Sequence, residues 1–138
     1  MYVLVVEDEE PNRTAMERLL TEAGHTVCMA WTCAGAIRLL VSEKPDIVLL
    51  DIHLGEHQMS GLDIARMMRS GPTWRNIPII VTSGLPIEEI RERASTYAFQ
   101  GLRCYMMEKP IDVANLLEIM DKMTGHSPQI TEPPESLE

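Results

Sequence analysis

Hydrophobic and polar positions alternate along this chain in a regular rhythm. Short, unbroken apolar runs are each followed by a longer stretch whose apolar residues recur every three or four positions. The clearest run is Ile47-Val48-Leu49-Leu50, which ends in Asp51. A run so short and so uniformly apolar reads as a strand buried on both faces, as in parallel sheets. Tyr2 to Val6 reads as a second such strand, His25 to Ala30 as a weaker one, Pro78 to Thr82 as a fourth and Cys104 to Met107 as a fifth. Helical spacing predicts helices over Pro11–Ala23, from a Thr32 N-cap onward with Ala36, Ile37, Leu40 and Val41 inward, and from a Ser60 cap through Met68. Two more are predicted, from Pro86 to about Ala98, and over Val113–Met123 with Val113, Leu116, Leu117 and Met120 inward. Gly24, Gly71-Pro72 and Gly125 serve as stops. Strand and helix thus alternate five times, the pattern of a parallel sheet covered on both faces.

Composition narrows the classes. A length of 138 residues with 45% hydrophobic and 24% charged residues suits one globular domain. We place it at residues 1–124 and expect residues 125–138, rich in Pro, Ser and Glu, to form a disordered tail. The net charge of −9 and the lack of a Lys/Arg patch argue against nucleic-acid binding. Cys28, Cys33 and Cys104 are an odd number with no CxxC spacing, which suggests reduced thiols and a cytoplasmic protein. The sequence shows no secretory leader pattern and no apolar run of membrane-spanning length. Its ten methionines and single phenylalanine suggest that Met fills much of the core. Trp31 and Trp74 fall near expected surface turns.

Ligands of open α/β sheets bind at the carboxyl ends of the strands. Those ends deliver Glu7 and Asp8, then Asp51, then Thr82, Ser83 and Gly84, and finally Lys109. Two unit charges about 4 Å apart cost about 1 kcal/mol in water and about 4 kcal/mol near a protein surface. Three crowded carboxylates therefore call for a cation, and an all-oxygen donor set suits a hard one such as Mg²⁺, with phosphate as a remaining ligand. An aspartate so placed can attack phosphorus, leaving positioning and charge neutralisation as the protein's main tasks.

The chain resembles the receiver domains of bacterial two-component response regulators. The residues that carry the likeness are Val5-Val6-Glu7-Asp8-Glu9, Ile47-Val48-Leu49-Leu50-Asp51, Met59-Ser60-Gly61, Pro78-Ile79-Ile80-Val81-Thr82-Ser83-Gly84 and Lys109-Pro110. The resemblance implies a flavodoxin-like five-stranded parallel sheet of order 2-1-3-4-5 with five helices on both faces. It implies that Asp51 accepts phosphate from a sensor histidine kinase or histidine phosphotransfer protein and thereby switches binding of a downstream protein. It implies that Glu7, Asp8, Asp51 and the backbone carbonyl of His53 bind Mg²⁺ or Mn²⁺, that Ser83 is the switch hydroxyl, and that Lys109 contacts phosphate beside a cis bond to Pro110. We expect a stand-alone receiver, since the residues after Met123 could not form an output domain, and one that catalyses its own phosphorylation and dephosphorylation; homodimer formation is left open.

Three features depart from the family pattern. The loop from Asp51 to Gly61 and the segment from Ser83 to Lys109 are longer, and the usual switch aromatic is replaced by Met106, with Tyr105 one position earlier. Three other functions fit parts of this pattern. A phosphorelay shuttle uses the same site. An aspartyl-nucleophile phosphatase wants a second Asp two residues on, where His53 stands. A flavin mononucleotide module wants a Gly/Ser/Thr-rich phosphate loop after the first strand, where acids stand instead.

Overall fold

The computed structural model describes residues 1–52, 61–86, 88–89 and 104–125. Its elements are β1 (Tyr2–Val6), α1 (Glu10–Glu22), β2 (Thr26–Ala30), α2 (Cys33–Glu43), β3 (Ile47–Asp51), α3 (Gly61–Ser70), β4 (Ile79–Ser83), β5 (Cys104–Glu108) and α4 (Val113–Thr124). All four strand pairings are parallel, and the order is β2-β1-β3-β4-β5. This is the expected sheet. Four helices stand among the described residues; the helix expected from Pro86 to Ala98 lies almost wholly outside them, as do His53, the Ser60 cap and the tail beyond Gly125.

The pleat divides the core in two. Val3, Val5, Ile47, Leu49, Ile80 and Met107 face Leu20 of α1 and Leu116 and Met120 of α4. Leu4, Val6, Val48, Leu50, Ile79 and Val81 face Ala36 and Leu40 of α2 and Leu62, Ile64, Ala65 and Met68 of α3. Every residue of β3 and β4 is buried, as central strands of a covered sheet must be. Fully burying one such Leu, Ile or Val is worth about 1.5–3 kcal/mol relative to exposure.

Local signals fix where the helices start; the Thr32 cap was read from the sequence and the Asp112 cap was not. The Thr32 hydroxyl accepts a hydrogen bond from Gly35 N at 3.0 Å, capping α2. Asp112 caps α4 in the same way, accepting from Asn115 N at 3.2 Å. Pro11 sits in the first turn of α1, where its missing N–H costs nothing.

Two inward assignments are corrected. Val41 is 61% exposed, and Val113 is exposed as well. The inner stripe of α2 runs through Cys33, Ala36 and Leu40, so Val41 stands one position past it on the solvent side. Val113 opens α4 before the helix reaches the sheet, and burial begins at Leu116. None of the three cysteines is disulfide-bonded; Cys33 is buried, and Cys28 and Cys104 are half-buried. Trp31 is exposed, whereas Trp74 packs against the α2–α3 half of the core.

Candidate functional site

The acids following β1 are held by the backbone around them. Glu7 is buried, and its N–H donates to Ala30 O at 3.0 Å, extending the β1–β2 ladder by one residue. Its carbonyl oxygen accepts from Arg13 Nη1 at 3.0 Å, and its carboxylate accepts from Glu9 N at 3.3 Å. Arg13 in turn lies 4.9 Å from the centre of the Trp31 ring, a cation–π contact. Neither Arg13 nor Trp31 was singled out for the site from the sequence. An Arg in the second turn of the helix following an acidic strand end is the signal that could have found the first.

Asp51 closes β3 at only 5% exposure. Lys109 follows β5, fixed by its N–H donating to Ser83 O at 2.7 Å, and its bond to Pro110 is cis. The Lys109 Nζ reaches 3.2 Å from Glu7 Oε1 and 3.5 Å from Asp51 Oδ1. Carboxylate oxygens of Glu7, Asp8 and Asp51 lie within 4.8 Å of one another, with Asp8 the most open to solvent. Burial alone would pull the Lys109 ammonium below its ordinary pKa. The carboxylates of Asp51 and then Glu7 outweigh that and raise it, so the lysine is held charged.

Gly61 sets the approach of α3 to this site. A Cβ there would run into the backbone carbonyl oxygen of Asp51, and Gly61 N donates to Ile52 O at 3.0 Å. Only glycine lets the start of α3 come that close to the strand that carries Asp51.

The remaining expected site residues are placed unequally. Asp51 and Thr82 are register partners, and both line a cavity of about 320 Å³ with Glu7, Lys109 and Pro110. Ser83 is fully buried on the other face of the sheet, the face of Val81, and its Oγ accepts from Leu85 N at 2.9 Å. Gly84 has open space where a Cβ would stand. Met106 pairs with Val81 and packs with the α2–α3 half of the core, whereas Tyr105 pairs with Ile80 and is exposed. By the pleat, Met106 shares the face of Ser83 and Tyr105 does not.

The donor set fits a hard divalent cation. Three carboxylates, all oxygen ligands, converge from two adjacent strand ends, more negative charge than one lysine balances.

A family model described as the response regulator receiver domain matches residues 3–121. The chain belongs to the response regulator receiver family. It is thus a receiver domain of two-component signalling. Similar to it are the polar-differentiation response regulator DivK of Brucella anthropi, 28% identical over 89% of this chain and 95% of DivK, and the sensory/regulatory protein RpfC of Xanthomonas campestris. The RpfC match is 30% identical over 96% of this chain, which spans 18% of RpfC's length. The receiver domain of a sensor histidine kinase from Pseudomonas aeruginosa superimposes with a TM-score of 0.77 at 26% identity, covering 90% of this chain and 97% of that one. That receiver holds a magnesium ion coordinated in its active-site cleft. A response regulator from Chloroflexus aurantiacus shares the fold, with a TM-score of 0.78 at 18% identity over 90% of this chain and 97% of its own. Among the described residues, no helix is long and apolar enough to cross a membrane.

Proposed function

We propose that Asp51 is the phosphoacceptor of this receiver, taking its phosphoryl group from a phosphohistidine of a sensor histidine kinase or a histidine phosphotransfer protein. The observation that carries the reading is the buried Asp51 carboxylate set between two other acids and the Lys109 ammonium. An Asp51 oxygen attacks phosphorus, the bond from phosphorus to the imidazole nitrogen breaks, and its electron pair returns to the ring. Lys109 neutralises charge on the phosphoryl oxygens. Glu7, Asp8, Asp51 and the His53 carbonyl would hold Mg²⁺ or Mn²⁺, which supplies the second positive charge for transfer.

Ser83 is the switch hydroxyl in this reading. Its O–H donates to a phosphoryl oxygen while its Oγ accepts from Leu85 N, which couples phosphorylation to the segment after β4. With Met106 where the family carries an aromatic, signalling does not depend on aromatic rotation at that place. The protein works in the cytoplasm, catalyses its own phosphorylation and dephosphorylation, and acts on a protein partner rather than on nucleic acid. A phosphorelay shuttle is the second reading, favoured by the likeness to RpfC and to receivers of sensor kinases.

Acetyl phosphate with Mg²⁺ tests the assignment. One hydroxylamine-sensitive phosphate per chain is expected on the parent protein and none on Asp51→Asn. Equal uptake by the Asn variant would refute it.

A further inference from the structure

We infer that Thr82 is a positioning residue for Asp51, whose hydroxyl stabilises the carboxylate released when the acyl phosphate hydrolyses and so shortens the life of the phosphorylated state. The inference rests on Asp51 being the phosphoacceptor. It starts from the β3–β4 register, in which Thr82 is the partner of Asp51, and Ile52 N locks the pair by donating to Thr82 O at 2.9 Å. Leu49 and Ile80 both belong to the core half under α1 and α4. Two residues on, Asp51 and Thr82 therefore project from that same face, side by side on neighbouring strands about 4.8 Å apart. Both line the 320 Å³ cavity, whose rim also carries Glu7 and Lys109.

The Thr82 hydroxyl is only weakly committed elsewhere. It is 6% exposed, and it donates to Leu50 O across 3.4 Å, beyond the usual range of O–H···O bonds. Ser83, in contrast, projects to the opposite face and already accepts from Leu85 N. The hydroxyl beside the Asp51 carboxylate is thus that of Thr82.

Its effect follows from where charge develops. In hydrolysis, water oxygen bonds to phosphorus and the bond from phosphorus to the Asp51 oxygen breaks. The electron pair stays on Asp51 as a carboxylate, and the proton of water leaves with the phosphate. A hydroxyl donates more strongly to a carboxylate than to the carbonyl of an acyl phosphate, so it favours the departing group. Removing it slows loss of phosphate while leaving the acceptor aspartate in place.

The test loads Thr82→Val, Thr82→Ser and the parent with ³²P-acetyl phosphate and follows release of phosphate in Mg²⁺ and again after EDTA. Thr82→Val should lengthen the half-life about 3- to 10-fold in both media, the scale of one ordinary hydrogen bond. Thr82→Ser, which keeps the hydroxyl, should decay within about 2-fold of the parent. Should Thr82→Val fail to fold, Thr82→Ala carries the same expectation. Unchanged decay in the Val or Ala variant overturns the inference, and so does an equal change in Val and Ser. Failure of the parent itself to take up phosphate would instead overturn the assignment of Asp51.

Discussion

Replacing Asp8 with Asn should make the metal-free protein more stable and the metal-binding protein worse. Oxygens of Asp8, Glu7 and Asp51 lie no more than 4.8 Å apart. At that separation two unit charges repel by about 3.5 kcal/mol with an effective dielectric of about 20, and by about 0.9 kcal/mol in bulk water. Asp8 is the most open of the three acids, so the lower figure governs. Lys109 pairs with Glu7 and Asp51, so those acids lose an attraction when removed, whereas the charge of Asp8 chiefly adds repulsion. The expected gain is about 1 kcal/mol, or roughly 2–5 °C in Tm for a domain of this size. Thermal unfolding in EDTA reads the gain, and calorimetric titration with Mg²⁺ reads the loss of affinity, expected to be 10-fold or more. Adding Mg²⁺ should then raise the Tm of the parent by more than that of the variant. Asp8→Asn that is less stable in EDTA, or that binds Mg²⁺ as tightly as the parent, would refute the argument from charge crowding.

Three more outcomes follow from the structure. Gly61→Ala drives a methyl group toward the Asp51 carbonyl and should cost about 1–3 kcal/mol in urea unfolding, with phosphate uptake reduced; an unaffected variant would show that the close approach is not needed. Burial pushes the Cys104 thiol up to about 11 from an ordinary 9.0, so at pH 8 it should carry about 100-fold less thiolate and alkylate correspondingly slowly, while rapid labelling mapped to Cys104 would contradict its burial. The raised pKa of Lys109 means that its pairing stabilises the fold fully below the ordinary lysine value of 10.5 and is lost as pH rises through the higher folded value. In EDTA, the parent should therefore lose more stability than Lys109→Met on going from pH 9 to 12, and parallel curves would sink that account.

Much of this architecture could be read from the chain because its central strands leave no ambiguity. Ile47 to Leu50 are apolar without interruption and all are buried, and the carboxylate after them falls at the strand end. Thr32 could be read as a cap because its side chain has a free amide to bind in the first turn. The meeting of Glu7, Asp51 and Lys109 followed from placing each at the carboxyl end of a parallel strand. What failed depended on packing that a linear pattern does not contain. Val41 continues an apolar periodicity, yet the helix has already turned it away from the sheet. The different positions of Thr82 and Ser83 required the β3–β4 register, since a shift of one residue exchanges their faces. The Arg13 link between Trp31 and the Glu7 carbonyl joins three separate stretches of the chain; an Arg early in α1 hints at its first half, and nothing in the pattern announces Trp31.

The location of the phosphate tests the central claim most directly. Borohydride reduction of the acetyl phosphate-treated protein converts an aspartyl phosphate into homoserine, and peptide mass spectrometry reads its position. Homoserine is expected at residue 51 alone. Phosphorylated protein that yields homoserine at residue 8, or none at residue 51, would contradict it.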